Sequence, residues 1–218
     1  MQDMEQRVQA YWTKRARDFS TVRRNELHDG AMGRRWLAEM QQYLPQGKAL
    51  DILDVGTGTG YFAILLAQAG HRLTGIDLTP AMIAEAETTA AAMNVSARFL
   101  VMDAMETAFA DASFDVIVTR NLTWTLPDTE QAYREWRRLL LPGGVLLNFD
   151  ANYGDNVRHQ RQKDSYIPDT EVYGHCGITP ELEQENAAIT LAMPISRQAR
   201  PQWDMALLLR CGFSRCGW

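Results

Sequence analysis

The chain of 218 residues carries a formal net charge of −5 at pH 7, and 46% of its residues are hydrophobic. This length and composition suit one globular α/β domain with elaborations, which can bury a full core. The acidic balance excludes a global attraction for nucleic acid or anionic membranes. The sequence shows neither a secretory leader nor an apolar span of about 18 residues. We therefore expect a cytoplasmic protein that binds neither nucleic acid nor membranes.

The N-terminal segment, residues 1–45, is predicted to form a helical lid beside the main domain. Amphipathic patterns indicate helices over 4–19 and 30–44, the second closed by Pro45 and Gly47. This segment is locally basic, with Arg7, Lys14, Arg15, Arg17, Arg23, Arg24, Arg34 and Arg35. We interpret these cations as a solvated helical face. The alternative interpretation is a patch that covers an acidic substrate.

Strands and helices alternate after residue 46. The hydrophobic pattern predicts strands over 50–55, 72–77, 97–102, 114–119 and 144–149, and helices over 60–69, 80–93 and 129–140. This alternation requires a mostly parallel sheet with helices on both faces. We therefore expect a three-layer, doubly wound, Rossmann-like α/β fold, with residues 46–150 as its cofactor-binding core.

A glycine-rich turn follows the first predicted strand. Gly58, Gly60 and Ala63 satisfy the G-x-G-x-x-G/A pattern of nicotinamide enzymes, whereas Gly56, Gly58 and Gly60 satisfy G-x-G-x-G. Asp54 stands just before these glycines, and a carboxylate beside the turn suits a cationic or hydroxyl-rich ligand better than a diphosphate. The turn therefore predicts a nucleoside-bearing cofactor.

Acidic residues also stand at the ends of the next two predicted strands. Asp77 closes the second strand, where a carboxylate can accept both ribose hydroxyls, and Asp103 follows the third. With the segments Phe114–Asn121 and Leu141–Gly144, these motifs make the chain resemble the class I S-adenosylmethionine-dependent methyltransferases, methyltransferase type 11 family. The resemblance covers roughly residues 50–150.

This resemblance implies a methyltransferase fold, S-adenosyl-L-methionine as the cofactor and S-adenosyl-L-homocysteine as its product. It assigns the glycine turn to the methionine part, Asp77 to the ribose and Asp103 to the adenine amino group, and it makes residues 11–19 a segment that covers the cofactor. Phe19 stands where the family often has tyrosine, so no hydroxyl role is expected there. The predicted cofactor-binding residues are Asp54, Gly56, Thr57, Gly58, Gly60, Asp77, Leu78, Met82, Asp103, Ala104, Met105, Arg120, Asn121, Tyr11 and Phe19.

Methyl transfer from an activated sulfonium depends mainly on alignment, so we expect catalysis by proximity with at most one assisting residue. The candidates for that residue are Asp150, Tyr11, Tyr153 and His28. Trp124 is a candidate aromatic partner for the sulfonium or for a cationic substrate. No metal site is predicted, because Cys176, Cys211 and Cys216 match no zinc spacing.

The periodicity weakens after residue 150. We expect residues 151–200 to form a substrate-side insertion, and residues 201–218 to supply a last helix and a sixth strand that starts at Gly212. A seventh strand is missing, and an unpaired sheet edge would favour a homodimer. The predicted function is methyl transfer to a small-molecule acceptor; the alternatives are a non-catalytic protein that binds the cofactor or its product, and a nicotinamide-dependent oxidoreductase.

Overall fold

The computed structural model describes residues 2–162 and 177–217 of the chain. Its centre is one five-stranded sheet with the order β3-β2-β1-β4-β5, in which all four pairings are parallel. The strands are β1 (Asp51–Val55), β2 (Arg72–Asp77), β3 (Arg98–Val101), β4 (Phe114–Arg120) and β5 (Leu140–Phe149). The strand order reverses between β1 and β4, which is the topological switch point of a doubly wound sheet.

Eight α-helices surround this sheet within the described residues. They are α1 (Gln2–Asp29), α2 (Ala31–Gln41), α3 (Tyr61–Gln68), α4 (Pro80–Ala92), α5 (Thr129–Leu139), α6 (Tyr153–Gln162), α7 (Pro180–Ala192) and α8 (Gln202–Arg210). One buried core joins the sheet to α2, α3 and α4, and a second joins it to α5 and α8. The predicted three-layer α/β fold is therefore confirmed.

The two cores follow from alternation along the central strands. On β1, Ile52 belongs to the first core and Leu53 to the second, and both are fully buried. On β4, Val116 and Ile117 divide in the same way. Because successive strand side chains point to opposite faces, a sheet covered on both faces needs continuous apolar strands. That requirement explains why the strands were readable from the sequence.

Helix α1 is longer than predicted. It continues beyond residue 19 to Asp29 because Ser20, Arg23 and Leu27 extend its buried face by two more turns. The helix ends at Gly30, whose φ of +69° is accessible to glycine. The predicted break after Phe19 is therefore wrong, and the lid segment is mostly one helix.

Side-chain contacts attach α1 to the loop after β2 and to α7. Gln9 donates a hydrogen bond from Nε2 to the Leu78 carbonyl at 2.8 Å, which links α1 to the loop after β2. Arg7 forms a bidentate ion pair with Glu185 of α7, at 2.5 and 2.8 Å. The helix therefore lies across the carboxyl ends of the strands.

Residues 151–200 are largely helical where they are described. Helices α6 and α7 and a short 3-10 helix, Pro194–Arg197, pack over α1 and form a third buried cluster with it. This cluster contains Tyr11, Trp124 and Ile189. His175 and Cys176 lie outside the described residues. None of the described helices combines the length and the apolar character that crossing a membrane requires.

The predicted sixth strand is absent from the C-terminal residues that the structure describes, which run to Gly217. Instead, Gly212, with φ of +93°, ends α8. The Phe213 backbone N–H donates to the Leu208 carbonyl and the Gly212 N–H donates to Leu209, which is the hydrogen-bond pattern of a helix-closing turn. These donors are used to terminate α8, and the Phe213 side chain packs against the second core.

Candidate functional site

A cavity of about 810 Å³ opens at the carboxyl ends of the strands, between the sheet and α1. Its size is in the range of pockets that hold drug-sized ligands. All predicted site residues except Gly60 and His28 line it, and they are Tyr11, Phe19, Asp54, Gly56, Thr57, Gly58, Asp77, Leu78, Met82, Asp103, Ala104, Met105, Arg120, Asn121, Asp150 and Tyr153. The fold therefore brings together residues that are scattered over more than 140 positions in the sequence.

Asp54 closes the glycine turn from below. Its carboxylate Oδ2 accepts hydrogen bonds from Thr57 Oγ1 at 2.6 Å and from the Ala63 backbone N–H at 3.1 Å, so it joins β1, the turn and α3. The side chain is almost fully buried, and this burial raises the pKa of Asp54 to about 7. Asp54 therefore changes charge near neutral pH, directly under the cavity.

Asp77 connects the end of β2 to the same turn. Its Oδ2 accepts the Gly58 backbone N–H and its Oδ1 accepts the Thr79 backbone N–H, both at 2.9 Å. Each carboxylate oxygen has a second lone pair for a ligand hydroxyl. Burial raises the pKa of Asp77, and the two backbone N–H groups oppose that rise. The carboxylate is thereby fixed in orientation at the cavity wall.

The loop after β3 forms an apolar slot with an acidic edge. Asp103 Oδ1 accepts the Met105 backbone N–H at 2.8 Å, which curls the loop toward the cavity. Met82 and Met105 are buried beside this loop, and the Trp136 indole N–H holds the Ala104 carbonyl at 2.9 Å. A flat apolar ring with a polar edge fits this arrangement.

Two predicted residues do not reach the cavity. Gly60 packs inside the fold: a Cβ at this position would lie 3.1 Å from Ala86 and 3.2 Å from Phe99, and its φ is +83°. Its glycine requirement is thus one of packing, since α4 and β3 occupy the space. His28 is exposed near the end of α1, so the structure removes it from the candidates for a catalytic base.

Aromatic side chains form the wall that faces the glycine turn. Trp12 contacts Tyr11, Phe19 and Trp124 edge to face, and Trp124 also contacts Tyr153, with ring centroids 5.2 to 6.3 Å apart. Burial raises the pKa of the Tyr11 hydroxyl and raises that of Tyr153 to about 12. Both phenols are therefore neutral at physiological pH and do not serve as anionic bases.

Asp150 is engaged by its neighbours. Its carboxylate accepts hydrogen bonds from the backbone N–H and hydroxyl of Thr123 and from the Ala151 backbone N–H, and Arg200 Nη1 lies 3.4 Å away. Arg200 also pairs with Asp204 at 2.7 Å. Burial raises the pKa of Asp150, whereas Arg200 and Thr123 oppose the rise. This bonding favours a positioning role for Asp150, because it holds the loop that carries Trp124.

Two arginines of α1 correct the interpretation of a solvated basic face. Arg15 and Arg23 are 2% and 4% exposed, and both line the cavity. With Tyr11 and Phe19 they recur at every fourth position, which places all four on one side of a helix. This spacing was visible in the sequence, but the predicted helix ended at residue 19 and therefore did not include Arg23.

Sequence reasoning also missed other cavity residues, among them Trp36, Tyr61 and Phe62. Trp36 comes from α2, and the other two open α3 directly after the glycine turn. A tyrosine or phenylalanine at the start of a buried helix is typical of core packing, so composition alone gave no signal. Among the described residues, no group of three histidine, cysteine or acidic side chains is arranged to hold a metal ion.

Comparisons with known proteins support the resemblance to methyltransferases. Residues 53–148 match the methyltransferase domain family. A ubiquinone/menaquinone biosynthesis C-methyltransferase from Dinoroseobacter shibae is 34% identical, over 73% of this chain and 64% of that protein. An arsenite methyltransferase from Aquipseudomonas alcaligenes is 30% identical, over 79% of this chain and 56% of that protein.

A solved structure supports the same fold. The PH0226 protein from Pyrococcus horikoshii OT3 aligns with a TM-score of 0.54 and 26% sequence identity, over 62% of this chain and 64% of that one. The family match, the curated relatives and this structure together confirm the resemblance to class I methyltransferases. The alignments cover less than two thirds of the length of the curated relatives.

Proposed function

Residues 53–148 form a domain of the methyltransferase family, and on that premise we propose that the chain transfers a methyl group from S-adenosyl-L-methionine to a small-molecule acceptor. The observation that carries this proposal is the convergence of Asp54, Asp77 and Asp103 with the glycine turn on one cavity. These acidic residues lie at or just beyond the carboxyl ends of three neighbouring strands, so they line the cavity in the order of a nucleoside ligand.

The residues present fit such a cofactor. Asp77 offers two oriented lone pairs for ribose hydroxyls, and the slot beside Asp103 suits the adenine ring. A Cβ at Gly58 would meet only Phe19, at 3.8 Å, so the glycine leaves space for a close approach to the backbone. We propose that Met82 and Met105 form the walls of the adenine slot.

S-adenosyl-L-methionine supplies a methyl group that is activated by the positive sulfur atom, and the electrons of the broken carbon–sulfur bond remain on the product, S-adenosyl-L-homocysteine. The protein has to align an acceptor and exclude water, and such positioning contributes about 7 to 11 kcal/mol to a bimolecular step. The rings of Trp12, Trp124 and Tyr153 enclose the cavity and offer faces that attract a cation.

We assign the role of a general base to none of Asp150, Tyr11 and Tyr153. The carboxylate of Asp150 is held by Thr123, Ala151 and Arg200, and the phenols of Tyr11 and Tyr153 stay protonated. Proximity is therefore the proposed source of catalysis, as predicted from the sequence. The related proteins named above methylate different acceptors, so they do not fix the acceptor atom.

Calorimetry with S-adenosylmethionine and NAD tests the cofactor. We expect micromolar affinity for the first and none for the second; the reverse result would support the nicotinamide-dependent alternative. Formation of S-adenosylhomocysteine with a panel of metabolites then separates an enzyme from a protein that only binds the cofactor. Binding without turnover across the panel would favour the non-catalytic alternative.

A further inference from the structure

Arg120 occupies an unusual position at the end of β4. Its guanidinium carbon lies 4.7 Å from the ring centre of Trp36, 5.4 Å from that of Phe62 and 5.5 Å from that of Tyr61. Within the part of the chain that the structure describes, this guanidinium donates no hydrogen bond and forms no ion pair. Aromatic faces attract a cation, but they do not replace the oxygen acceptors with which guanidinium N–H groups form hydrogen bonds.

A second arginine lies near the same Tyr61 ring. The Arg23 guanidinium is 5.8 Å from the Tyr61 ring and 4.8 Å from the Phe19 ring. Its Nη1 contacts both carboxylate oxygens of Glu26, at 2.6 and 2.8 Å. Burial and the like charge of Arg23 lower the pKa of Arg120 to about 10, which leaves it charged at neutral pH.

Glu26 forms an ion pair with Arg23 and not with Arg120, so the positive charge of Arg120 has no ion-pair partner among the described residues. Two neutral donors also indicate that a ligand binds here. The Tyr61 hydroxyl and the Trp36 indole N–H are buried and lack a hydrogen-bond partner in the described structure. Buried polar groups are normally satisfied. A singly charged ligand with several acceptor atoms would satisfy these groups and balance the charge.

We propose that Arg120, Arg23 and Tyr61 bind a carboxylate of the methyl acceptor, so that the substrate is a monocarboxylic acid with an apolar or aromatic body. This inference rests on the proposed function and names its substrate class. The apolar body follows from the walls: Trp36 packs against Phe62 and Phe149 with ring centres 5.1 and 5.2 Å apart. A dianion such as phosphate exceeds the single positive charge available.

The cofactor also carries a carboxylate, but it fits this subsite less well. Its carboxylate stands beside an ammonium group, which two guanidinium groups would repel. The nearby carboxylates of Asp54 and Glu26 are already engaged by Thr57 and Arg23. On this proposal Arg120 binds the acceptor, whereas the sequence predicts it as a cofactor-binding residue.

Benzoate and its uncharged analogue benzamide test the subsite directly. They are titrated into the protein saturated with S-adenosylhomocysteine, with tryptophan fluorescence as the signal. We expect saturable benzoate binding, about tenfold or more tighter than that of benzamide, and a similar loss in Arg120→Gln. Arg35→Gln, an exposed arginine on α2, is the control and should bind benzoate normally. Equal affinities, or no saturable benzoate binding, would overturn the proposal.

Tyr61→Phe provides a second variant that removes only one hydroxyl. We expect it to weaken benzoate by about three- to tenfold while thermal unfolding is unchanged or improved, since an orphaned buried hydroxyl is removed. Unchanged benzoate affinity in both Tyr61→Phe and Arg120→Gln would count against the subsite. Arg120→Lys should bind benzoate more tightly than Arg120→Gln but less tightly than the unaltered protein, because lysine keeps the positive charge and lacks the two parallel N–H groups of a guanidinium.

Two adenosine ligands separate this inference from the proposed function. S-adenosylhomocysteine carries the amino acid group and 5′-methylthioadenosine lacks it, and we expect Arg120→Gln to bind each within about twofold of the unaltered protein. If the variant lost only S-adenosylhomocysteine, the subsite would belong to the cofactor and the acceptor assignment would fall. If the unaltered protein bound neither ligand, the proposed function would fail, while the benzoate and benzamide comparison in ligand-free protein would still decide the subsite.

Discussion

The Asp77 carboxylate accepts the backbone N–H of Gly58 at 2.9 Å, so the acidic residue that ends β2 also fixes the glycine turn that follows β1. The two motifs are 19 residues apart in the sequence and form one structural unit. A ligand that meets Asp77 therefore also meets a turn whose shape Asp77 maintains.

Asp77→Ala should weaken binding of S-adenosylhomocysteine by about 2 to 5 kcal/mol, since two ribose hydroxyls would lose a charged acceptor. Calorimetry measures the change, and thermal unfolding of the free protein reports any damage to the turn. Glu87→Ala, on the exposed face of α4, is the control for removal of an acidic side chain. Unchanged affinity in Asp77→Ala would refute the ribose assignment.

Asp54 should make stability depend on pH. Its folded-state pKa of about 7 is above the ordinary value of 3.8, so the native state keeps a proton that the unfolded chain releases. Its contribution is fully present below about pH 4 and is lost as the pH rises toward 7. Between pH 5 and pH 8 the free energy of unfolding should fall by about 2 to 3 kcal/mol from this group.

Urea unfolding at these two pH values, with Asp54→Asn beside the unaltered protein, measures that contribution. The asparagine variant should show a smaller fall, whereas Glu106→Gln, an exposed side chain, should match the unaltered protein. An identical fall in Asp54→Asn would mean that other groups produce the pH dependence.

Replacement of glycine by alanine should destabilise the protein more at Gly56, in the glycine turn, than at Gly47. A Cβ at Gly56 would lie 2.7 Å from Leu122 Cδ1, and the residue has a φ of +68°. Gly47 has a φ of +89° with open space around it, so Gly47→Ala isolates the backbone cost. We expect a loss of about 1 to 2 kcal/mol at Gly47 and about 2 to 4 kcal/mol at Gly56. Chemical unfolding compares them, and equal losses would argue against the Leu122 contact.

Arg200 lies between two buried carboxylates, those of Asp150 and Asp204. Arg200→Met should lower the free energy of unfolding by about 3 to 5 kcal/mol, because both carboxylates lose their cation. Arg197→Met, an exposed arginine on the neighbouring 3-10 helix, is the control. Adding Asp150→Asn to Arg200→Met should recover part of the loss in urea unfolding. No recovery would show that Asp150 is not coupled to Arg200.

The outer edge of β5 pairs with no strand in the described residues. An unpaired edge favours association with another chain, so the predicted homodimer still stands as a prediction. Light scattering after size-exclusion chromatography, at two protein concentrations, should show a mass above that of one 24.7 kDa chain. A strict monomer at both concentrations would remove this prediction.

The sheet could be predicted because its central strands are buried on both faces and are therefore largely apolar, as in β1 and β4. The cofactor side of the cavity was predictable for a related reason: Asp54, Asp77 and Asp103 lie at or just beyond the carboxyl ends of three strands, so their positions are fixed by the strands. Arg23 and Trp36 were missed because they come from α1 and α2, whose packing against the cavity depends on tertiary contacts. The sixth strand failed because Gly212 ends a helix.

Helix α1 gives the two halves of the cavity a common boundary. It is 28 residues long, or about 42 Å, and it touches Leu78 near the cofactor side through Gln9 while Arg23 reaches the carboxylate subsite. Because this single helix borders both halves, a displacement of α1 along its whole length opens both of them. We therefore expect the arrival and departure of both ligands to share one opening event, which makes the exchange rate of the acceptor sensitive to substitutions on the cofactor side.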